Sequence, residues 1–128
     1  MRIEHVGLQV EDPAAAGAWY VEHLGFSVKR AADEPVPVRY LADGAGNVML
    51  EVYNNPKADV PDYASMNPLV LHVALVSDDP AADAARLQEA GATFVEEIRP
   101  AETGDHLIML RDPWGLAVQL ARRGTRMV

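Results

Sequence analysis

The chain of 128 residues contains no cysteine. That excludes a disulfide framework, a thiolate metal site and a cysteine nucleophile. Any metal it holds is bound by imidazole, carboxylate, amide or water. Basic residues are scarce as well. Against 19 Asp plus Glu there are 11 Lys plus Arg, a formal net charge of −8. Such a chain lacks the cationic face on which phosphate-tracking nucleic-acid binders rely, and it is ill suited to an anionic membrane surface. No apolar run approaches the ~20 residues that span a bilayer. The N-terminus reads directly into a strand with no apolar leader, so a cytoplasmic location is expected. What is present in quantity is apolar residues, 49% of the chain. That is enough for a buried core and argues against disorder. The length suits one domain, since domains cluster near ~100–150 residues.

The chain repeats itself. His5-Val6-Gly7-Leu8-Gln9-Val10-Glu11-Asp12-Pro13-Ala14-Ala15 reappears, displaced by 67 residues, as His72-Val73-Ala74-Leu75-Val76-Ser77-Asp78-Asp79-Pro80-Ala81-Ala82. Each copy reads as a strand followed by a helix start. Asp12 and Asp79 are N-caps, and Pro13 and Pro80 occupy the first helical position, where a missing N–H costs nothing. The first helix is expected to stop at Gly25 and the second at Gly91. Strands are expected at 26–30, 36–42 and 48–53, and again at 93–99, 106–111 and 116–122. Asp43 to Asn47 and Asp112-Pro113-Trp114-Gly115 supply turns. The order is βαβββ, twice: an α+β domain over 1–128, with modules at about 1–54 and 69–123. They are joined by a linker at 55–68 that is long enough to fold over a cavity mouth. Each module has one apolar sheet face for its own helix, and the opposite faces are left to enclose a cavity.

Side chains alternate faces along a strand. Val6, Leu8 and Val10 oppose His5, Gly7 and Gln9. Leu50 and Val52 oppose Met49, Glu51 and Tyr53. Val73 and Leu75 oppose His72, and Val118 and Leu120 oppose Gln119. The polar faces therefore carry His5, Glu51, His72 and Gln119. Glu51 lies 46 residues after His5, and Gln119 lies 47 after His72. The four are two copies of one pair. A midstrand Glu is costly to bury unless paired or ligated, and two imidazoles, a carboxylate and an amide oxygen suit a divalent metal. Each residue also has an ordinary reading. The histidines can be hydrogen-bonded structural groups, Glu51 can pair with Arg39, and Gln119 can be a satisfied core amide. The repeat-equivalent placement favours a metal.

The motifs His5-Val6-Gly7-Leu8, Asp12-Pro13-Ala14-Ala15, Trp19-Tyr20 before Leu24-Gly25-Phe26, and Asp112-Pro113-Trp114-Gly115 occur together in this order over nearly the whole chain. In this respect the chain resembles the vicinal oxygen chelate superfamily, which includes glyoxalase I, bleomycin-resistance proteins and extradiol dioxygenases. The resemblance implies paired βαβββ modules with curled mixed sheets around a metal cavity. It implies metal ligands at the positions of His5, Glu51, His72 and Gln119, and one divalent ion per site (Ni, Co, Mn, Fe or Zn). It implies a homodimer in which His5 and Glu51 of one chain meet His72 and Gln119 of the other; pairing of the two modules within one chain is the competing arrangement. The activity implied is that of a glyoxalase I-like lyase or isomerase of a small vicinal-oxygen metabolite, with metal stabilisation of an enediolate-type intermediate. The family's usual terminal Glu is replaced by Gln119, which takes no proton at neutral pH, so Glu51 becomes the candidate base. Two alternatives stay open: a metal-free ligand-sequestering protein and an Fe(II) dioxygenase.

Met49, Tyr53 and His106 are candidates for the pocket lining. His106 has a surface position as its ordinary alternative. Arg39 and Arg99 are candidates to clamp an acidic group, with solvated strand charges as the alternative. His23 fits a helix C-terminus. Trp19, Tyr20 and Phe26 are read as core or interface, and Trp114 as a lip or interface anchor.

Overall fold

The fold is taken from a computed structural model that describes residues 1–127. The strands and helices run β1 (His5–Gln9), α1 (Pro13–Leu24), β2 (Ser27–Ala32), β3 (Val38–Ala42), β4 (Met49–Tyr53), β5 (Val73–Val76), α2 (Pro80–Glu89), β6 (Thr93–Ile98), β7 (His106–Arg111) and β8 (Ala117–Arg122). This is the expected α+β pattern of βαβββ, twice. The chain divides into two compact units, Met1–Pro61 and the residues from Asp62 onward. The division falls inside the 55–68 segment.

In the first unit β1 pairs in parallel with β4, and β3 pairs antiparallel with β4 and β2, giving a mixed sheet of order β1-β4-β3-β2. Helix α1 covers one face, mainly over β3 and β4. Its start is fixed by Asp12, whose Oδ1 accepts from the N–H groups of Ala14 (3.0 Å) and Ala15 (2.9 Å). Its end is fixed by Gly25 at φ 72°, a left-handed conformation that costs glycine nothing. Between helix and sheet lie Leu8, Tyr20, Leu41, Leu50 and Val52, all buried. Each such side chain contributes about 1.5–3 kcal/mol of burial. Trp19, Tyr20 and Phe26 are also buried here, as the core reading expected. His23 lies in the last turn of α1 beside the Trp19 ring.

The second unit repeats the plan, with sheet order β5-β8-β7-β6 and α2 over β7 and β8. Asp79 caps α2 through Ala82 N–H (3.1 Å). Ile108, Leu110, Leu116, Val118 and Leu120 are buried on the helix side. The turn before β8 is closed by Asp112, whose Oδ1 accepts from the N–H groups of Trp114 and Leu116, each at 2.9 Å. Trp114 in that turn is half-buried.

The 55–68 segment is tied down on both sides of the division. In the first unit the buried Gln9 amide donates to the carbonyls of Asn55 (2.8 Å) and Ala58 (2.7 Å) and accepts from Asn55 N–H (3.0 Å). In the second, the Arg111 guanidinium donates to the carbonyls of Tyr63, Met66 and Gly115 at 2.7–2.8 Å. Three bonds on the first side and two on the second, to Tyr63 and Met66, make this segment a strap rather than a free lid.

Candidate functional site

In the first unit, the strand register sets one row of residues across the sheet face opposite α1. Glu51 stands opposite Gly7 on β1 and Tyr40 on β3, and Tyr40 stands opposite Arg30 on β2. His5 and Met49 pair on the same face, as do Gln9 and Tyr53. The four-strand row Gly7, Glu51, Tyr40, Arg30 is therefore a product of register alone.

The side chains complete it. Glu51 Oε2 lies 3.3 Å from His5 Nε2. Glu51 Oε1 accepts a 2.6 Å hydrogen bond from the Tyr40 hydroxyl. The His5 ring meets the Tyr40 ring edge-on at 5.8 Å, and its Nδ1 is held by the Glu4 carboxylate. That hydrogen bond, reinforced by the charges of Glu4 and Glu51, raises the His5 imidazole above its ordinary value in spite of partial desolvation. The hydrogen bond to Glu51 likewise raises the Tyr40 phenol. Gly7 leaves the room this arrangement needs. A Cβ there would lie 3.2 Å from Tyr53 Cε1 and 3.5 Å from Glu51 Oε2. A depression of about 220 Å³ opens beside the row, lined by Glu4, His5, Lys29, Arg30, Tyr40 and Met49.

In the second unit Gln119 stands opposite Ala74 on β5 and Met109 on β7. Gly7 and Ala74 are repeat equivalents, so Glu51 and Gln119 occupy matching places. Tyr40 has Met109 as its counterpart, and Gln119 makes no side-chain hydrogen bond among the described residues. His72 falls just before β5 rather than within a strand. The Asn67 side chain accepts from Leu69 N–H (2.9 Å) and its carbonyl from Val70 N–H (2.9 Å), a turn that delays the strand until Val73. His72 Nδ1 bonds the Pro68 carbonyl at 2.8 Å.

Two donors at about 2.1 Å from one ion stand about 3.0–3.4 Å apart in octahedral to tetrahedral geometry. The His5–Glu51 separation of 3.3 Å fits that span. Metal-binding histidines usually fix their orientation by engaging the second ring nitrogen with a carboxylate or carbonyl. Both histidines engage Nδ1 in this way, His5 with Glu4 and His72 with Pro68, and His5 turns its Nε2 to Glu51. Among the described residues no three His, Asp or Glu groups gather into one metal-holding cluster. The His5–Glu51 pair of the first unit is spaced as two donors to one divalent ion would be, and imidazole and carboxylate are donor types that suit such an ion.

Several other expectations change. Arg39 does not reach Glu51 and does not face the depression. It lies on the helix side against Gly17, and it bonds Asp33 Oδ1 at 2.6 Å and the carbonyls of Ala32 and Val38 at 2.9 Å each. Arg99 bonds Glu97 at 2.6 Å. His106 is neither a surface residue nor on the Gln119 face. It is 4% exposed, and it shares the helix-side parity of Ile108 while Met109 shares that of Gln119. Its Nε2 lies 2.8 Å from Glu97 Oε1. Met49 lines the depression, and Tyr53 stands against Gly7 and Glu51 on the same face. Tyr40 was absent from the sequence reading. Strand parity alone could have found it, since Val38, Tyr40 and Ala42 alternate with Arg39 and Leu41.

No described helix is long and apolar enough to cross a membrane. The uncharacterized protein YwbC of Bacillus subtilis (strain 168) is 26% identical over 127 residues, covering 95% of this chain and 98% of that protein. The structure of a glyoxalase family protein from Bacillus cereus matches with a TM-score of 0.81 at 20% identity, over 96% of this chain and 94% of that one. TnmS3, an antibiotic binding protein from Streptomyces sp. CB03234, matches with a TM-score of 0.73 at 22% identity, over 96% of both chains. At these identities the two structures show a shared fold. The family model named Glyoxalase/Bleomycin resistance protein/Dioxygenase superfamily matches residues 2–120. With that match over nearly its whole length, the chain belongs to the glyoxalase/bleomycin resistance protein/dioxygenase superfamily.

Proposed function

We propose that the protein is a metal-dependent, glyoxalase I-like lyase or isomerase acting on a small metabolite with vicinal oxygens. The observation that carries this reading is the His5 Nε2–Glu51 Oε2 pair at 3.3 Å, with the far nitrogen of His5 already engaged by Glu4. His5 and Glu51 of one chain, with His72 and Gln119 of a second copy, would hold one divalent ion. Ni, Co, Mn, Fe and Zn all suit such nitrogen and oxygen donors. When bound there, the ion supplies Lewis acidity towards adjacent substrate oxygens.

The rest of the chemistry belongs to the chain's own groups. Glu51 is the one ionisable carboxylate of the donor set, so it is the base. In that role Oε2 would leave the donor set, take the proton from the carbon next to a substrate oxygen and give it back at the neighbouring position. The Tyr40 hydroxyl keeps Oε1 occupied meanwhile. Gln119 contributes an oxygen and no proton chemistry. A donor set with one carboxylate leaves a dication with a net positive charge, which favours an anionic substrate.

Glu51→Gln separates the two roles of this residue, because an amide oxygen still ligates but accepts no proton. The test is solvent deuterium incorporation, followed by NMR, into a panel of 2-hydroxyketones and 2-oxo acids. Metal-loaded wild-type protein is expected to exchange at least one of them, and Glu51→Gln to retain metal without exchange. Equal exchange by both proteins removes Glu51 as base, and no exchange by the wild type removes the enzymatic reading.

A second reading, a metal-free ligand-binding protein, is supported by the fold shared with TnmS3, an antibiotic binding protein. Ligand binding that a chelator leaves unchanged would support it.

A further inference from the structure

The two cations that line the depression beside Glu51 owe their placement to an irregularity in β2. Val28 pairs with Leu41 on the helix side, yet the next paired residue, Arg30, stands opposite Tyr40 on the other face. In an unbroken strand Val28 and Arg30 share a face. The extra residue, Lys29, shifts the register and moves Arg30 onto the Tyr40–Glu51 face. Bulges commonly re-aim a side chain in this way beside a binding site. Lys29 lines the same depression.

The second unit contains the same device. Phe94 pairs with Leu110 and Glu96 with Met109, with Val95 as the extra residue. The bulge therefore belongs to the module, but its dressing does not. Where the first unit has Lys29 and Arg30, the second has Val95 and Glu96. Folding the module does not require cations at these places.

Neither Lys29 nor Arg30 bonds a carboxylate among the described residues. The polar groups beside them have partners of their own: the Glu4 carboxylate holds His5 Nδ1, and the Tyr40 hydroxyl donates to Glu51. Two cations that bond no carboxylate among the described residues thus face, together with the Glu4 carboxylate, a cavity of about 220 Å³, enough for a small metabolite. In a protein of net charge −8 they stand out against the general field.

We propose that Lys29 and Arg30 form an anion subsite that binds a carboxylate or phosphoryl group of the substrate while its vicinal oxygens lie at His5 and Glu51. The substrate class is then a small oxygenated acid. Neighbouring strands lie about 4.8 Å apart, so Arg30 stands two strand spacings from Glu51. The acidic group sits a few bonds from the reacting carbon rather than on it. This assignment rests on the reading of His5 and Glu51 as the reacting end of the site.

The test uses the bulge residues of the second unit as a template. The double variant Lys29→Val with Arg30→Glu puts in the first module what the second already accommodates, so the fold is expected to persist. Binding of malonate, inorganic phosphate and uncharged malonamide is measured by calorimetry on wild type and double variant, with bound metal determined on both. The expected result is at least tenfold weaker binding of malonate or of phosphate in the variant, with malonamide unchanged and metal content equal. Whichever anion loses more identifies the acidic group as carboxylate or phosphoryl. Equal anion binding by the two proteins overturns the subsite. A wild type without metal whose anion binding still depends on Lys29 and Arg30 upholds the subsite and rejects the metal reading instead.

Discussion

The Tyr40 hydroxyl donates to Glu51 Oε1 at 2.6 Å, while the other oxygen of the same carboxylate faces His5 Nε2 at 3.3 Å. One bond thereby divides the carboxylate into a held oxygen and a working oxygen. Groups that orient a metal ligand usually matter about 10–100-fold to metal affinity. Tyr40→Phe is expected to weaken divalent metal binding by a factor in that range. With Co(II) as the probe, it should also change the visible absorption, because Glu51 is free to turn or to bind through both oxygens. Competition with a chromophoric chelator and the Co(II) spectrum check this. An unchanged affinity and spectrum would mean that Tyr40 does not orient Glu51.

Gly7 sets how close the neighbouring side chains can come. A Cβ at this position is tight against Tyr53 and in contact with Glu51. Gly7→Val adds two further methyl groups to the row where the carboxylate and phenol lie. The variant is expected to keep its fold and to lose metal or ligand affinity by at least tenfold, measured by calorimetry beside a thermal melt.

The two helix caps are unequal. Asp12 accepts from two backbone N–H groups and Asp79 from one. Loss of such a cap typically costs about 1 kcal/mol. Asp12→Ala is therefore expected to destabilise the protein more than Asp79→Ala, as read from urea midpoints.

The core beneath α1 has little slack. Leu41 is fully buried, and Leu41→Ala should cost about 2–5 kcal/mol through lost burial and a residual cavity. Urea denaturation with an unchanged slope would show that stability alone has moved.

Acid should weaken the second unit through carboxylates that include Glu97, Asp105 and Asp83. Arg99, and then His106, hold Glu97 below its ordinary value against some desolvation. The Gly124 N–H and the Arg123 guanidinium do the same for Asp105. At Asp83 burial pushes upward, and the Ser77 hydroxyl and Arg86 outweigh it. A depressed folded value means that the unfolded chain takes up protons first. The stabilisation is complete above the ordinary carboxylate range near ~4 and is lost as pH falls through the lower folded values. Urea midpoints between pH 7 and pH 2.5 should fall, and Glu97→Gln should flatten that fall while lowering the midpoint at pH 7.

The repeat and the alternation of strand faces made most of the architecture legible in the sequence. Residues such as Leu50, Val52, Val118 and Leu120 lie buried on the faces that parity gave them, and Glu51 and Gln119 hold equivalent register positions. Parity failed where the backbone departs from regularity. The bulge at Lys29 reverses the face of Arg30, and the turn at Asn67 takes His72 out of its strand. Nor could parity name the partners of Arg39 and Arg99, because Asp33 and Glu97 are brought to them by side-chain geometry that spacing does not encode. His106 followed its strand parity, but that parity directs it to the helix side and to Glu97.

The central claim is that His5, Glu51, His72 and Gln119 belong to one metal site. Elemental analysis of protein purified without a histidine tag, beside His5→Ala and His72→Ala, tests it most directly. The account predicts one equivalent of a divalent metal per chain in the wild type and its loss in both variants, although the two histidines lie in different units. A wild type without stoichiometric metal, or variants that retain it in full, would contradict the account.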